Sequence, residues 1–271
     1  MTSRHSGAGD QVRGTERLFA IVEQLTAGSM TLSEVARSTD LPKSTTLRFL
    51  RSLEDASWVF RDGNGLYSMG PALAGLASQY VAGNPLVAIA TPAMRDLHSR
   101  LNETVSLSRR VGMARVCIQE LPAAQNLRLV LGLGELGPLH AGASGILLYA
   151  HMPEAERRRL AELGFEQYTS RTITDFDRLE TEAEKVRAQG WAMTRGQKTE
   201  GGLAIAVPIA EPGSASEVAA LGVFGPEIRC STKRDRDVWL HALLETASEI
   251  NDVTAGDPTR PGSTWGGRAP S

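Results

Sequence analysis

Apolar side chains near the amino terminus recur at the spacing of one helix face. The helical positions i, i+3, i+4 and i+7 are occupied by Leu18, Ile21, Val22 and Leu25. Thr15 precedes them as a candidate N-cap. This spacing places the apolar side chains on one side of a helix, where they pack into a core. The pattern predicts a first amphipathic helix that begins near Thr15.

Two further helices separated by a short turn are predicted next. Thr31 and Glu34 have the spacing of a capping box, which indicates a short helix that continues to about Ser38. Asp40 and Leu41 then form the turn. Pro42, whose fixed φ and missing N–H suit a first helical turn, starts the next helix. This arrangement is typical of a helix-turn-helix.

The third predicted helix has two chemically different faces. Thr46, Phe49, Leu50 and Leu53 follow the helical spacing and are expected to pack inward. The opposite face carries cations, hydroxyl groups and one apolar residue: Lys43, Ser44, Thr45, Leu47, Arg48 and Arg51. Arginine binds guanine or phosphate, hydroxyl groups bind phosphate or base edges, and leucine contacts a thymine methyl group. A solvated helix face has a similar composition, so the flanking sequence has to decide.

Two β-prone runs that enclose a turn follow this helix. Residues 58–61 and 66–69 flank the sequence Asp-Gly-Asn-Gly at residues 62–65, which predicts a β-hairpin. Arg61 lies beside the turn, where it can reach a phosphate or the minor groove. A helix-turn-helix followed by a hairpin is a winged helix. We therefore expect the polar face of the third helix to bind double-stranded DNA.

Composition limits the class of protein. The chain has 271 residues, of which 41% are hydrophobic, and this suffices for two domains. Its 29 Lys and Arg against 31 Asp and Glu mean that DNA binding has to rest on a local cationic patch. No apolar run reaches roughly 18 residues and the amino terminus lacks a signal-peptide core, so we expect a cytoplasmic protein that does not bind membranes. Cys117 and Cys230 are too few for a disulfide scaffold.

The rest of the chain predicts an α+β domain with a central antiparallel sheet. Strands are expected at residues 104–111, 115–121, 127–131, 191–194, 203–210 and 218–224. Helices are expected at residues 85–101, 144–150, 153–163, 176–188 and 233–251. Strands followed by helices and then by strands again are typical of this fold class.

Five segments follow from these elements. We expect a disordered tail at residues 1–13, a winged helix-turn-helix at 14–70, a linker helix at 71–84 that pairs subunits, the α+β domain at 85–251 and a disordered tail at 252–271.

Several motifs suggest enzymatic chemistry, and each lacks a required part. Residues 132–137, GLGELG, match the dinucleotide-binding pattern, but Pro138 follows where a helix should begin. Residues 142–145, GASG, resemble a nucleophile elbow whose second glycine comes one place early. The histidines are far apart and no pair of acids stands out. We expect no catalytic residues, no metal and no cofactor.

In their order along the chain, the motifs resemble the IclR family of bacterial transcriptional regulators, named for the isocitrate lyase regulator. In the first domain the resemblance lies in LSEVA at 32–36, LPKST at 41–45, RFL at 48–50 and YSMG at 67–70. In the second it lies in PLHA at 138–141, RTITD at 171–175, GW at 190–191, EG at 200–201, IAVP at 205–208 and GP at 225–226. It covers residues 15–250.

The resemblance implies a winged helix joined by a linker helix to a GAF-like effector domain, in a homodimer or tetramer on palindromic or repeated DNA sites. A single winged helix contacts too few base pairs to recognise a specific operator, whereas the two winged helices of a dimer contact enough. Carried over by position, the small-molecule pocket of the family would contain Leu129, Leu131, Ala143, Ser144, Thr194, Ala204, Gly222 and Phe224.

Four of these positions depart from the members that bind small oxoacids. Those members often have an acid in place of Thr194, a cysteine in place of Ala204, and hydroxyl side chains in place of Gly222 and Phe224. The loss of these polar groups predicts a more apolar pocket and an effector larger or more hydrophobic than a two- or three-carbon acid. Backbone amides at the start of the helix at residues 143–144 suit a carboxylate.

The leading hypothesis is a ligand-responsive repressor of a catabolic or biosynthetic operon. A small organic effector releases this repressor from DNA or modulates its activity. Two alternatives stay open. One is an enzyme whose carboxy-terminal domain performs the chemistry, and the other is an architectural DNA-binding dimer that has no ligand.

Overall fold

The computed structural model describes residues 7–214 and 217–256. The chain divides into two compact units between Gly83 and Asn84, inside the segment predicted as a linker. Each unit has an apolar core of its own.

Three helices and a small sheet form the first unit. Helices α1, α2 and α3 cover Gly7–Thr26, Leu32–Ser38 and Lys43–Asp55. Strands β1, β2 and β3 cover Met30–Thr31, Val59–Arg61 and Leu66–Met69, and pair antiparallel in the order β1-β3-β2. The apolar faces of the helices meet the sheet in a core of Ile21, Leu25, Val35, Leu50, Leu53, Val59 and Tyr67. Strand β1 was not predicted, because two residues carry no periodicity.

The turn of the hairpin is held by a side chain. Asp62 Oδ1 accepts hydrogen bonds from the amides of Asn64 and Leu66 at 2.9 and 2.8 Å. Gly65 has a φ of 82°, a conformation that glycine adopts without steric cost. These local contacts explain why the sequence predicted the hairpin. Helix α4, Ala72–Ala82, follows it.

Two predicted boundaries at the ends of the chain are wrong. Helix α1 begins at Gly7, so Thr15 lies inside the helix and residues 7–13 do not belong to a disordered tail. None of residues 10–13, DQVR, breaks a helix, and the helix therefore continues upstream. Similarly, the last helix continues to Ala255, four residues beyond the predicted end. The remaining parts of the predicted tails, residues 1–6 and 257–271, lie outside the described residues.

A six-stranded antiparallel sheet with the order β6-β5-β4-β9-β8-β7 forms the centre of the second unit. Its strands are β4 Thr104–Val111, β5 Ala114–Leu121, β6 Leu136–Gly137, β7 Ala192–Arg195, β8 Gly202–Ala210 and β9 Val218–Pro226. Every residue of β9 is buried, since this strand lies in the middle of the sheet and both faces are covered.

Helices cover the two faces of the sheet. On one face lie α5, Pro85–Leu101, and α9, Lys233–Ala255, around a core that includes Met94, Leu107, Val207, Leu221 and Leu243. On the other lie α6, Ala143–Ala150, and α8, Phe176–Gln189, with α7, Glu154–Glu162, between them in the chain. Every residue of α6 except Ser144 is buried, as expected of a helix that is apolar all round.

One predicted strand is wrong. Residues 127–131 are irregular, and the edge strand of the sheet is β6 instead. The Thr104 hydroxyl donates to the carbonyl oxygen of Leu129 at 2.7 Å, and the Glu120 carboxylate accepts the amide of Leu131. Side chains therefore satisfy backbone groups here that a strand partner would otherwise satisfy. The other predicted strands of this unit are present with boundaries within two residues.

No single helix in the described part of the chain is both long and apolar enough to cross a membrane. The helical segments Ala72–Tyr80 and Pro85–Leu101 reach the required length and apolar composition only when they are counted together.

Candidate DNA-binding surface and effector cavity

Side-chain caps and a tight turn position helix α3. The Glu34 amide donates to the Thr31 hydroxyl at 3.3 Å, and the Glu34 carboxylate accepts the Thr31 amide at 2.7 Å. The hydrogen bonds that the Glu34 carboxylate accepts from the Thr31 amide and the Thr31 hydroxyl lower the pKa of Glu34. Asp40 then takes a left-handed conformation, with a φ of 52°, and reverses the chain. Pro42 directly precedes α3, so the start of that helix is set by residues close to it in sequence.

Helix α3 has an inner face and an outer face, as the sequence predicted. Thr46, Leu50 and Leu53 are buried, and the Thr46 hydroxyl donates to the carbonyl oxygen of Pro42 at 3.1 Å. On the outer face Lys43, Ser44, Arg48 and Arg51 are exposed, whereas Thr45 and Leu47 are half-buried. This outer face presents cations and hydroxyl groups side by side.

The cations of this face are available to an external anion. Among the described residues, Lys43, Arg48 and Arg51 form no ion pair. The guanidinium carbon of Arg48 lies 5.5 Å from the centroid of the Phe49 ring, a distance at which the ring supports the cation without neutralising it. Their charge is therefore free to act on phosphate.

Arg61 lies on the wing of the same unit. It is the last residue of β2 and is exposed, and its guanidinium carbon is 5.3 Å from the centroid of the Tyr67 ring. The structure thus places six of the seven predicted DNA-binding residues on α3 and the seventh on the hairpin.

A cavity of about 100 Å³ lies in the second unit between the start of α6, the sheet and the irregular segment before β6. Six of the eight predicted effector-binding residues line it: Leu129, Leu131, Ala143, Ser144, Ala204 and Phe224. The start of a helix therefore borders the cavity, together with apolar side chains from two strands.

Thr194 and Gly222 do not line this cavity. Thr194 is buried and pairs with Ala204 across the β7–β8 ladder. Gly222 is covered by Ser144, since a Cβ on the glycine would lie 3.0 Å from the serine hydroxyl oxygen. These two positions support residues of the cavity wall.

The sequence prediction missed the polar part of the wall, which consists of Arg115, Gln197, Lys198 and Thr199. Arg115 gave no clear signal, because it is the first residue of the strand predicted at 115–121, where a charged side chain is ordinary. No pattern indicated the other three, since they lie in the irregular connection between β7 and β8. The wall is consequently less apolar than the eight predicted residues suggested.

Comparison with known proteins decides the family. The model of the bacterial transcriptional regulator IclR C-terminal domain matches residues 78–252, and that of the IclR helix-turn-helix domain matches residues 14–63. The chain belongs to the IclR family of bacterial transcriptional regulators. The resemblance found in the sequence motifs is confirmed, and so is the predicted fold class of a winged helix-turn-helix with a mixed α and β effector domain.

Relatives of this IclR-family chain are similar over most of its length. The HTH-type transcriptional repressor AllR of Escherichia coli K12 is 32% identical over 241 residues, which are 87% of this chain and 88% of the repressor. The IclR structure from Thermotoga maritima has a TM-score of 0.75 at 26% identity, and the match covers 91% of this chain and 98% of that one. An IclR homologue from Microbacterium hydrocarbonoxydans complexed with 4-hydroxybenzoate shares the fold, with a TM-score of 0.73 at 21% identity and coverages of 88% and 98%.

The motifs that suggested enzymatic chemistry take other geometries in this IclR-family chain. Gly132 and Gly134 have φ values of 86° and 82°, and strand β6 follows them where a dinucleotide site requires a helix. His140, the histidine nearest to Ser144 in sequence, has its Nε2 atom 2.9 Å from the carbonyl oxygen of Glu166. Among the described residues there is no group of three or more His, Cys, Asp or Glu side chains that can hold a metal ion.

Proposed function

We propose that this chain is a ligand-responsive repressor that binds operator DNA through α3 and Arg61 and releases it when a small organic effector binds in the second unit. The observation that carries the proposal is the outer face of α3, where the cations Lys43, Arg48 and Arg51 are exposed and form no ion pair with a described residue. A face of this composition fits the major groove. The repressor name of the AllR relatives supports the sign of regulation.

The protein binds DNA as a homodimer or tetramer in this proposal. One winged helix contacts too few base pairs for an operator, and a second copy doubles the contacts. Leu76 and Tyr80 of α4 support the assembly, because both are half exposed in the single chain and lie on an apolar helix. Such side chains are suited to the interface between subunits. The complex acts in the bacterial cytoplasm, at the nucleoid when bound to DNA.

The effector acts on DNA affinity through the segment that joins the two units. Residues 71–84, which include α4, are the covalent connection between the cavity-bearing unit and the winged helix. If the effector binds one arrangement of the subunits better than another, it shifts the spacing of the two winged helices away from that of the operator. The regulated operon serves the uptake, breakdown or synthesis of the effector or of a related compound.

Gel-shift titration with DNA from upstream of the protein's own gene and of its neighbours tests the proposal. Arg48→Ala should weaken binding by about tenfold, because it removes a charged contact. Arg159→Ala is the matched control, since it removes an exposed arginine from α7 in the other unit. Binding by Arg48→Ala that equals both the wild type and the control would contradict the DNA-binding assignment.

A second measurement separates the regulator from the two alternatives. An effector that lowers DNA affinity also stabilises the folded protein, and the two effects should have the same concentration dependence. Unchanged DNA affinity with every stabilising compound would favour an architectural protein. Turnover of such a compound that Ser144→Ala abolishes would favour an enzyme.

A further inference from the structure

Arg115 is a buried cation that lacks a carboxylate partner. Its side chain extends from β5 into the cavity wall, and the residue is 6% exposed. Nη1 donates a long hydrogen bond of 3.4 Å to the Ser108 hydroxyl, and no described carboxylate forms an ion pair with the guanidinium. Burial lowers the pKa of Arg115, because a low dielectric disfavours its charge. A guanidinium has five N–H donors, so most of its capacity remains unused by strong partners.

The two acidic residues nearest in effect to Arg115, Glu120 and Glu135, form no ion pair with it. Glu120 and Glu135 stabilise its charge at a distance. The Glu120 carboxylate accepts the backbone amides of Leu131 and Gly132 at 2.6 and 3.2 Å. Glu135 is exposed to solvent. Neither acid contacts the guanidinium, so the positive charge in the wall is not neutralised by a contact within the protein.

Lys198 brings a second cation to the same cavity. It extends from the connection between β7 and β8, and its ammonium nitrogen lies 3.3 Å from the centroid of the Tyr168 ring. Partial burial lowers the pKa of Lys198, and the charge of Arg115 lowers it further, whereas Glu166 and Glu135 oppose both effects. The two cations therefore repel each other across the cavity, and an anion between them would relieve that repulsion.

Other groups of the wall fit an acid with an apolar part. Leu129, Leu131 and Phe224 provide apolar contacts. Gln197 Oε1 is buried and has no hydrogen-bond partner among the described residues, so it can accept a hydrogen bond from a hydroxyl group. The volume of about 100 Å³ is well below the roughly 300–1,000 Å³ of drug-sized sites, which favours a compact molecule.

We infer that Arg115 and Lys198 form an anion-binding end of the effector cavity and that the effector is a compact organic acid. The carboxylate of this acid binds between the two cations, and its apolar part contacts Leu129, Leu131 and Phe224. This inference rests on the proposed function, in which the cavity is the effector site. Arginine supplies two parallel N–H donors to a carboxylate, and lysine supplies a point charge. The apolar wall predicted from the sequence then selects the remainder of the acid.

Isothermal titration calorimetry and thermal-shift assays on the full chain test the inference with matched probes. Glyoxylate, benzoate and 4-hydroxybenzoate supply the carboxylate, and benzamide and 4-hydroxybenzamide are neutral counterparts of the last two. The variants are Arg115→Met and Lys198→Met. Arg128→Met is the control, because it removes an exposed arginine from the irregular segment without changing the cavity wall.

At least one acid should bind the wild type tenfold or more tightly than its amide. Arg115→Met and Lys198→Met should each weaken that binding by roughly tenfold to a hundredfold, and Arg128→Met should bind as the wild type does. Arg115→Met should melt at the same or a higher temperature without acid, since it removes a buried charge that has no contacting counter-ion. A lower melting temperature would instead show that the arginine is a structural group.

The inference is overturned if acid and amide bind equally, if the two cation variants keep the wild-type affinity for the acid, or if no acid in the set binds. Failure of the proposed function is a separate result. An acid that binds through Arg115 and Lys198 but leaves DNA affinity unchanged would retain the anion site and contradict regulation by this cavity. DNA binding that persists without any acid binding would contradict the anion site alone.

Discussion

The carboxylate of Glu120 accepts the backbone amide of Leu131 at 2.6 Å and thereby holds one wall of the effector cavity in place. Glu120→Ala should release this wall, because hydrogen bonds to a charged acceptor contribute about 1.5–3 kcal/mol. Hydrogen–deuterium exchange of residues 129–132 should then become at least roughly tenfold faster. Glu162→Ala, which removes an exposed acid from α7, is the control and should leave this exchange unchanged.

Gly222 is required by the position of Ser144. A Cβ on the glycine would lie 3.0 Å from the serine hydroxyl oxygen and 3.4 Å from the carbonyl oxygen of Ile205. Gly222→Ala should therefore lower the free energy of unfolding by about 1 kcal/mol through overpacking. The double variant with Ser144→Ala should recover part of the loss, because the nearest atom is gone. Urea denaturation of the four proteins measures this coupling, and strictly additive effects would contradict the contact.

A partly buried ion pair joins α7 to α8. Arg157 Nε and Nη2 donate to the two carboxylate oxygens of Glu180 at 2.8 and 3.0 Å, and the Tyr149 hydroxyl donates to the same carboxylate at 2.5 Å. Glu180→Gln should lower the free energy of unfolding at pH 7 by about 2 kcal/mol, since it leaves the guanidinium without its counter-ion.

This pair also predicts a pH dependence. Burial alone would raise the pKa of Glu180, but the hydrogen bonds from Arg157 and Tyr149 outweigh it and the pKa is below its ordinary value of 4.5. A lowered pKa contributes stability above the unfolded value, and that contribution is lost as the pH falls through the folded value. The stability difference between wild type and Glu180→Gln, measured in urea, should therefore shrink below pH 4.5. A difference that stays constant or grows on acidification would contradict this linkage.

Two glycines near the wing should respond oppositely to alanine. A Cβ on Gly70 would lie 2.3 Å from the carbonyl oxygen of Ser57, and this backbone atom has little freedom to move. Gly70→Ala should cost about 3 kcal/mol of stability. Gly75 lies in α4, where a Cβ would meet no atom within 4 Å, so Gly75→Ala should stabilise by about 0.5–1 kcal/mol. Thermal denaturation measures both, and equal shifts would contradict the packing described for Gly70.

Arg61 is predicted to contact the DNA backbone and not a base. Arg61→Ala should weaken binding to all DNA sequences by a similar factor and reduce the slope of log affinity against log salt by about one. Arg159→Ala again serves as the control because its arginine is exposed on α7. A changed preference between operator and unrelated DNA would instead indicate that Arg61 reads bases.

Local patterns determined α2, the start of α3 and the hairpin of the first unit to within about one residue. The cap formed by Thr31 and Glu34, the proline before α3 and the Asp62 turn all act within four residues of sequence, and their geometry follows from the residue types alone. The observed bounds of α5 and β4 also equal the predicted ones. The start of α1 was missed, since no strong cap or breaker marks it.

The polar wall of the cavity and the irregular segment before β6 were decided only by the tertiary structure. Arg115 and Lys198 come from β5 and from the connection between β7 and β8, and the strand order brings them to one cavity. Residues 127–131 form no strand, because Thr104 of β4 and Glu120 of β5 bind their backbone groups. Periodicity reports which face of an element is buried, whereas the partner across that face depends on the order of the strands, which no local pattern encodes.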